Sequence, residues 1–275
     1  MSDRATPPPE PVFLEGAAGR LFAVYHAPSA SARRGIALVY VPPFAEEMNR
    51  ARRMAALQAR ALAEAGVPVL IPDLFGTGDS EGEFRDARWR LWQADIRAAG
   101  DWLRARHPGD IGLWGLRLGG LLAAELAAID PGRFARVLLW QPVGDGKSML
   151  TQFLRLRIAV AMQEGTRQTT EGLRAQLAAG NTLEVAGYEI APELAAALDR
   201  AQLQLCRPGA TVDWLDISGE AEAGLAPARQ RVVAGWRGAG VRVAADAVPG
   251  EPFWATQEVA LAPQLIGATV RRLAA

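Results

Sequence analysis

The chain has 275 residues, 30 Lys+Arg against 30 Asp+Glu, half of its residues apolar and 22% charged. These are ordinary globular values, and without a basic excess neither a nucleic-acid binder nor a polybasic membrane adaptor is favoured. One cysteine, Cys206, excludes an internal disulfide framework and a Cys-based zinc cluster, and two distant histidines, His26 and His107, exclude a His-rich metal site. No metal and no cofactor is therefore expected.

Residues 1–11 are proline-rich with no apolar core, unlike a signal peptide. No charge-free apolar run approaches the roughly 20 residues of a membrane helix, so no transmembrane segment and a cytoplasmic location are expected. Residues 12–14 and 21–25 flank a glycine-rich turn and read as a hairpin. Residues 36–41 form a continuous apolar run, the mark of a strand buried on both faces. A helix follows over 46–65, with Met54, Leu57, Ala61 and Leu62 on one face and Gly66 at its end. Then come a strand at 67–71, a glycine-rich loop at 73–82, a helix at 89–106, a strand at 111–114, a helix striped by Leu118, Leu122, Leu126 and Ile129, and a strand at 137–140. From about 144 to 210 no strand is evident, and helices are expected at 149–162, 173–179 and 192–205. Strands return at 212–217 and 241–248, each followed by a helix, 225–236 and 263–273.

Repeated strand–helix units predict an α/β fold with a mostly parallel, doubly wound sheet. A helical insertion late in such a sheet predicts a cap over its carboxyl edge, where open α/β sheets place their ligands. The expected division is a core of 1–143 and 211–275 with a helical cap at 144–210.

Three motifs lie at that edge. Gly115-Leu116-Arg117-Leu118-Gly119, between a buried strand and a helix, has the context of the nucleophile elbow G-x-S-x-G, with Arg117 in place of the serine. Asp73-Leu74-Phe75-Gly76-Thr77-Gly78-Asp79-Ser80 resembles the D-x-x-G-x-G-x-S loop common in α/β-hydrolases. Its expected role is structural: Gly76 and Gly78 permit positive φ, while Asp73 and Ser80 bond nearby backbone. Residues 41–50 stand where an oxyanion loop would follow the third strand, so N–H groups near Phe44 and at Leu118 are candidates to hold an anion.

The fold resembles the α/β-hydrolases. More narrowly, PPFAEEMNRARRM at 42–54, GLRLGG at 115–120, LWQP at 139–142, QFLRLR at 152–157 and PFW at 252–254 resemble the exosortase A system-associated hydrolase, type 2, over nearly the whole chain. That bacterial family accompanies PEP-CTERM sorting and exopolysaccharide gene clusters. The resemblance implies a fold, a genomic setting and a hydrolase label, but no substrate.

A serine hydrolase needs a nucleophile, a base and an acid. A guanidinium stays protonated and cannot attack a carbonyl. The loop after the last strand, 248–254, holds no histidine, and His26 and His107 fall at the other edge of the predicted sheet. After the penultimate strand Glu222 stands at the spacing of the acid. What remains is a charged set on the carboxyl-edge loops: Glu46 and Glu47, Arg117, Asp145 and Lys147, Glu222 and Glu251. Beneath a cap, Arg117 must pair with a carboxylate, that of Glu46, Glu47 or Glu251, or with a bound anion, because an unpaired buried charge costs several kcal/mol. Phe44, Phe253 and Trp254 are the candidate apolar walls.

Lys147 is the only lysine in the chain. The segment Gly144-Asp145-Gly146-Lys147-Ser148 resembles a P-loop, but Gln141 stands where G-x-x-x-x-G-K-S needs glycine. Lys147 is instead a candidate contact for a substrate oxyanion or carboxylate. The largely apolar helix at 149–162 is a candidate dimer, partner or membrane-surface face. Two functions stand open. One is a hydrolase or acyl transferase of non-standard mechanism, with Glu46, Glu47 or Glu251 as general base and Arg117 as anion stabiliser. The other is a non-catalytic descendant that binds an anionic small molecule or a partner protein.

Overall fold

The computed structural model describes residues 6–29, 35–219, 224–256, 258 and 260–274. The strands are β1 (Glu10–Glu15), β2 (Arg20–His26), β3 (Ile36–Val41), β4 (Val69–Pro72), β5 (Asp110–Leu116), β6 (Arg136–Trp140), β7 (Leu183–Val185), β8 (Tyr188–Ile190), β9 (Thr211–Ser218) and β10 (Val243–Pro249). The helices are α1 (Glu46–Glu64), α2 (Trp89–Arg104), α3 (Leu118–Ile129), α4 (Gly146–Gln163), α5 (Thr170–Ala178), α6 (Pro192–Arg200), α7 (Pro227–Gly238) and α8 (Pro263–Ala274). Among the described residues no helix is long and apolar enough to cross a membrane.

Eight strands form one sheet in the order β1-β2-β4-β3-β5-β6-β9-β10. β2 runs antiparallel to β1 and β4, and the remaining pairs are parallel. This is the α/β-hydrolase fold. β3 reads as an unbroken apolar run because both its faces are covered. Ala37, Val39 and Val41 point to the layer of α2, α3 and α7, while Leu38 and Tyr40 point to α1 and α8.

The pairing fixes where the histidines lie. His26 pairs with Val69, at the start of β4, so it sits at the amino edge of the parallel strands. His107 precedes β5 at the same edge, and its Nε2 lies 2.7 Å from the Tyr25 hydroxyl.

Between β6 and β9 the chain gives α4, α5, the hairpin β7–β8, α6 and a 3-10 turn at Leu203–Leu205. The hairpin corrects the expectation of an all-helical segment. Its strands have three residues each, too few for alternation to register, and they join through Ala186 and Gly187, whose φ values are 51° and 84°. The expected helix at 192–205 also breaks at Ala201. There the chain pairs with the entry of α4: Gly146 N–H donates to Ala201 O at 2.9 Å and Leu203 N–H to Gly144 O at 2.9 Å.

Candidate functional site

The turn from β5 into α3 carries Arg117 at φ 56°, ψ −117°, a strained conformation for a residue with a side chain. Close packing enforces it. A Cβ on Gly115 would come within 2.6 Å of Gly120 Cα, and one on Gly119 would strike Val41 O. α3 therefore lies flat against the strand ends, and the residue between them is driven outward. Arg117 N–H donates to Trp140 O at 3.0 Å, while Arg117 O accepts from Gly120 N at 3.0 Å and from Val143 N at 3.2 Å.

The Arg117 guanidinium is largely withdrawn from solvent. Its Nε and Nη2 donate to Glu47 Oε1 at 3.2 and 3.1 Å, and the two side chains are 13% and 15% exposed. Its carbon lies 5.3 Å from the ring centre of Trp254, a cation–π contact. Burial pushes the Glu47 carboxyl above the ordinary range, and the positive charge of Arg117, then that of Arg50, pulls it back. Glu47 Oε2 is buried and has no hydrogen-bond partner among the described residues. Glu47 stands in the first turn of α1, just after Ala45, which is itself at φ 49°, ψ −122°. Two strained strand-to-helix turns thus bring one cation and one carboxylate together.

The other predicted residues are dispersed. Glu46 lies one residue round α1 and is half-buried; the Tyr188 phenol is raised first by burial and then by the Glu46 charge. Glu251 is exposed on the loop after β10. Glu222 lies outside the described residues. Phe44 is buried edge-on between Phe153 (5.0 Å) and Phe84 (5.6 Å). Leu118 is buried at the start of α3. Phe253 packs against Trp140 at 6.2 Å in the layer under α8, and Trp254 alone of that pair touches Arg117.

Lys147 and Asp145 do not join the elbow. They line a separate groove with Arg229 and Arg231 on α7. Asp145 caps α4, accepting from Ser148 N at 2.6 Å and Ser148 Oγ at 3.0 Å.

Beside Leu118 lies a cavity of only about 20 Å³, walled by Phe44, Phe84, Trp89, Trp92 and Tyr188. That holds about one water. Its outer wall was not foreseen. Tyr188 comes from the unforeseen hairpin, and its hydroxyl accepts from Asn49 Nδ2 at 2.9 Å. The available signal was the Val-Ala-Gly-Tyr stretch at 185–188, a two-residue turn between short apolar strands.

Two other potential nucleophiles are inert. Ser80 donates to Asp73 O at 2.6 Å and accepts from Phe22 N at 2.8 Å, fastening its loop to β2. Burial pushes the Cys206 thiol up to about 12.

No curated protein matches the chain. Among solved structures it resembles the ferulic acid-bound Est1E from Butyrivibrio proteoclasticus, with 16% identity and a TM-score of 0.67, covering 95% of this chain and 96% of that one. It also resembles the α/β hydrolase GrgF from Penicillium sp. sh18 (17%, TM-score 0.62, 97% and 99% covered). A third likeness is to XC6422 from Xanthomonas campestris, an α/β serine hydrolase without a lid (17%, TM-score 0.56, 98% and 97% covered). These likenesses concern the fold. Residues 37–214, from β3 to the middle of β9 with the elbow between them, match the family model described as serine aminopeptidase, S33, and the chain belongs to that family of α/β hydrolases.

Proposed function

We propose that this chain is a non-catalytic α/β-hydrolase of the exosortase-associated type, which binds a ligand or partner at a scaffold no longer able to form an acyl-enzyme. The observation that carries this reading is the Arg117–Glu47 pair at the elbow. A guanidinium has no lone pair for attack, and this one already has its counter-ion. Both histidines of the chain stand at the opposite edge of the sheet, so no imidazole can serve as base. The cavity beside Leu118 has no room for an acyl group.

The residues 144–210 act as the cap, closing the carboxyl edge through Phe153 and Tyr188. Exposed Leu156, Val160 and Met162 on α4 support a homodimer or partner face. The motif at 42–54 supports the exosortase setting, and a cytoplasmic location follows from that reading.

One observation favours the enzymatic alternative: Glu47 has a raised pKa and an unused buried lone pair, as a general base for water would. A single experiment separates the two. The purified protein is treated with a fluorophosphonate probe and assayed on ester, thioester and lactone panels, beside Arg117→Ser and Glu47→Gln. The expected result is no serine labelling and no turnover in any of the three. Turnover by the parent that is lost in Glu47→Gln would establish the enzyme instead.

A further inference from the structure

We propose that the groove holding Lys147 is a second ligand site, and that it takes a phosphorylated small molecule with an apolar body. The groove lies between the entry of α4, the 3-10 turn at Leu203–Leu205 and α7, and its volume is about 940 Å³. That is at the upper end of the roughly 300–1,000 Å³ of small-molecule sites. It is far larger than the cavity of about 20 Å³ at the elbow. The proposal holds whether or not the elbow is catalytic.

The floor is apolar and fixed. Trp214, Pro142, Leu203 and Val232 form it. Arg229 is held there by Asp216 at 2.9 Å. The walls supply charge. Lys147 and Arg231 are both exposed, and among the described residues neither pairs with a carboxylate. The two carboxylates of the groove are already engaged. Asp145 caps α4 through Ser148, and Asp199 takes Arg174 through both oxygens at 2.7 and 2.9 Å. Since Asp145 occupies the start of α4, the helix end is not the anchor; the two side-chain cations are.

Lys147 and Arg231, neither paired with a carboxylate among the described residues, are the two groups of the groove available to one phosphate. Arginine offers a planar fork and lysine a mobile point charge, a combination suited to a phosphate monoester. The indole and aliphatic floor would cover the organic remainder. At Arg117 the same requirement is met internally by Glu47, so the elbow leaves no charge for an anion.

The test is titration calorimetry on the full chain at constant ionic strength, with phenyl phosphate, inorganic phosphate and phthalate as probes. Phenyl phosphate should bind most tightly. Lys147→Met and Arg231→Ala should each weaken it about tenfold, the scale of one lost charge-assisted contact. Arg117→Leu should bind it like the parent. Both groove residues are exposed, so their variants should fold, which thermal unfolding checks. The proposal is overturned if no probe binds, if phthalate binds as tightly as phenyl phosphate, if both groove variants bind like the parent, or if binding is lost in Arg117→Leu.

Discussion

The elbow and the Lys147 groove each present a basic side chain at the start of a helix that follows a parallel strand, and they resolve it in opposite ways. Arg117 is largely buried and tied to Glu47; Lys147 is exposed and has no carboxylate partner among the described residues. A cation at the nucleophile's place is therefore not evidence of an anion site, because burial forces it to carry its own counter-ion. A cation that water can solvate is under no such constraint and stays available.

The sharpest way to break this comparison is to remove one partner on each side. Glu47→Ala leaves the Arg117 guanidinium buried and unpaired, and should cost about 3–5 kcal/mol of stability. Lys147→Met should change stability by no more than about 0.5 kcal/mol. Urea unfolding at pH 7 measures both. Similar costs would mean that the two cations are equally solvated.

The second test uses a buried carboxylate without any cation. Asp95 on α2 is fully buried and accepts from Phe75 N at 2.9 Å. Burial raises its pKa from 3.8 to about 6, against the pull of the Phe75 and Ala17 N–H groups. The folded state thus holds the proton more tightly than the unfolded chain. Its contribution to stability is present at low pH and is lost as pH rises from about 4 to about 6. Asp95→Asn removes that loss. The stability of the variant relative to the parent should climb across this window by up to about 3 kcal/mol, the linkage limit for such a shift. A flat difference would show that Asp95 is solvated.

Much of this was legible in the sequence, for identifiable reasons. β3 and β5 could be read because strands covered on both faces leave unbroken apolar runs. The elbow could be read because Gly115 and Gly119 are required by backbone contacts, whatever residue lies between them. Glu46, Glu47 and Glu251 all stood as partners for Arg117. Spacing alone did not choose among them, because consecutive residues point about 100° apart on a helix and only the placed α1 turns Glu47 inward. The separation of Lys147 from Arg117 was not legible. It depends on Gly146 pairing with Ala201 and Gly144 with Leu203 across the two ends of the 144–210 segment, contacts between distant residues with no sequence signature. The short hairpin that closes the elbow cavity was hidden for a similar reason: its strands are recognised by what they pack on, Phe84 and Phe153, and not by their own pattern.

The third test removes the cation and leaves the carboxylate. In Arg117→Leu the largest influence lowering Glu47 is gone, so burial raises its pKa further. A raised folded pKa means stability that is present at low pH and lost as pH climbs past the ordinary carboxylate range. The variant should be close to the parent at pH 5 and weaker by about 2 kcal/mol at pH 8, the cost of ionising a buried, unpaired acid. Equal losses at both pH values would mean that Glu47 finds another partner.

The smallest effect distinguishes backbone from side chain. Ala45 and Arg117 share nearly one conformation, φ 49°, ψ −122° and φ 56°, ψ −117°. Strain there amounts to about 1–3 kcal/mol for any residue with a Cβ, and glycine is spared it. Ala45→Gly also loses a buried methyl, about 0.8 kcal/mol, and gains unfolded-state freedom of about 0.5–1 kcal/mol. These terms nearly cancel, so the variant should lie within about 0.5 kcal/mol of the parent. Arg117→Gly gains the same backbone relief but strips Glu47 of its cation, and should show the pH-dependent loss of the leucine variant. Thermal unfolding of the two glycine variants at pH 5 and pH 8 makes the measurement. If both behave alike, the two turns are set by backbone alone and the ion pair is incidental to the elbow. If Ala45→Gly stays neutral while Arg117→Gly weakens only at the higher pH, the Arg117 side chain is held for its charge.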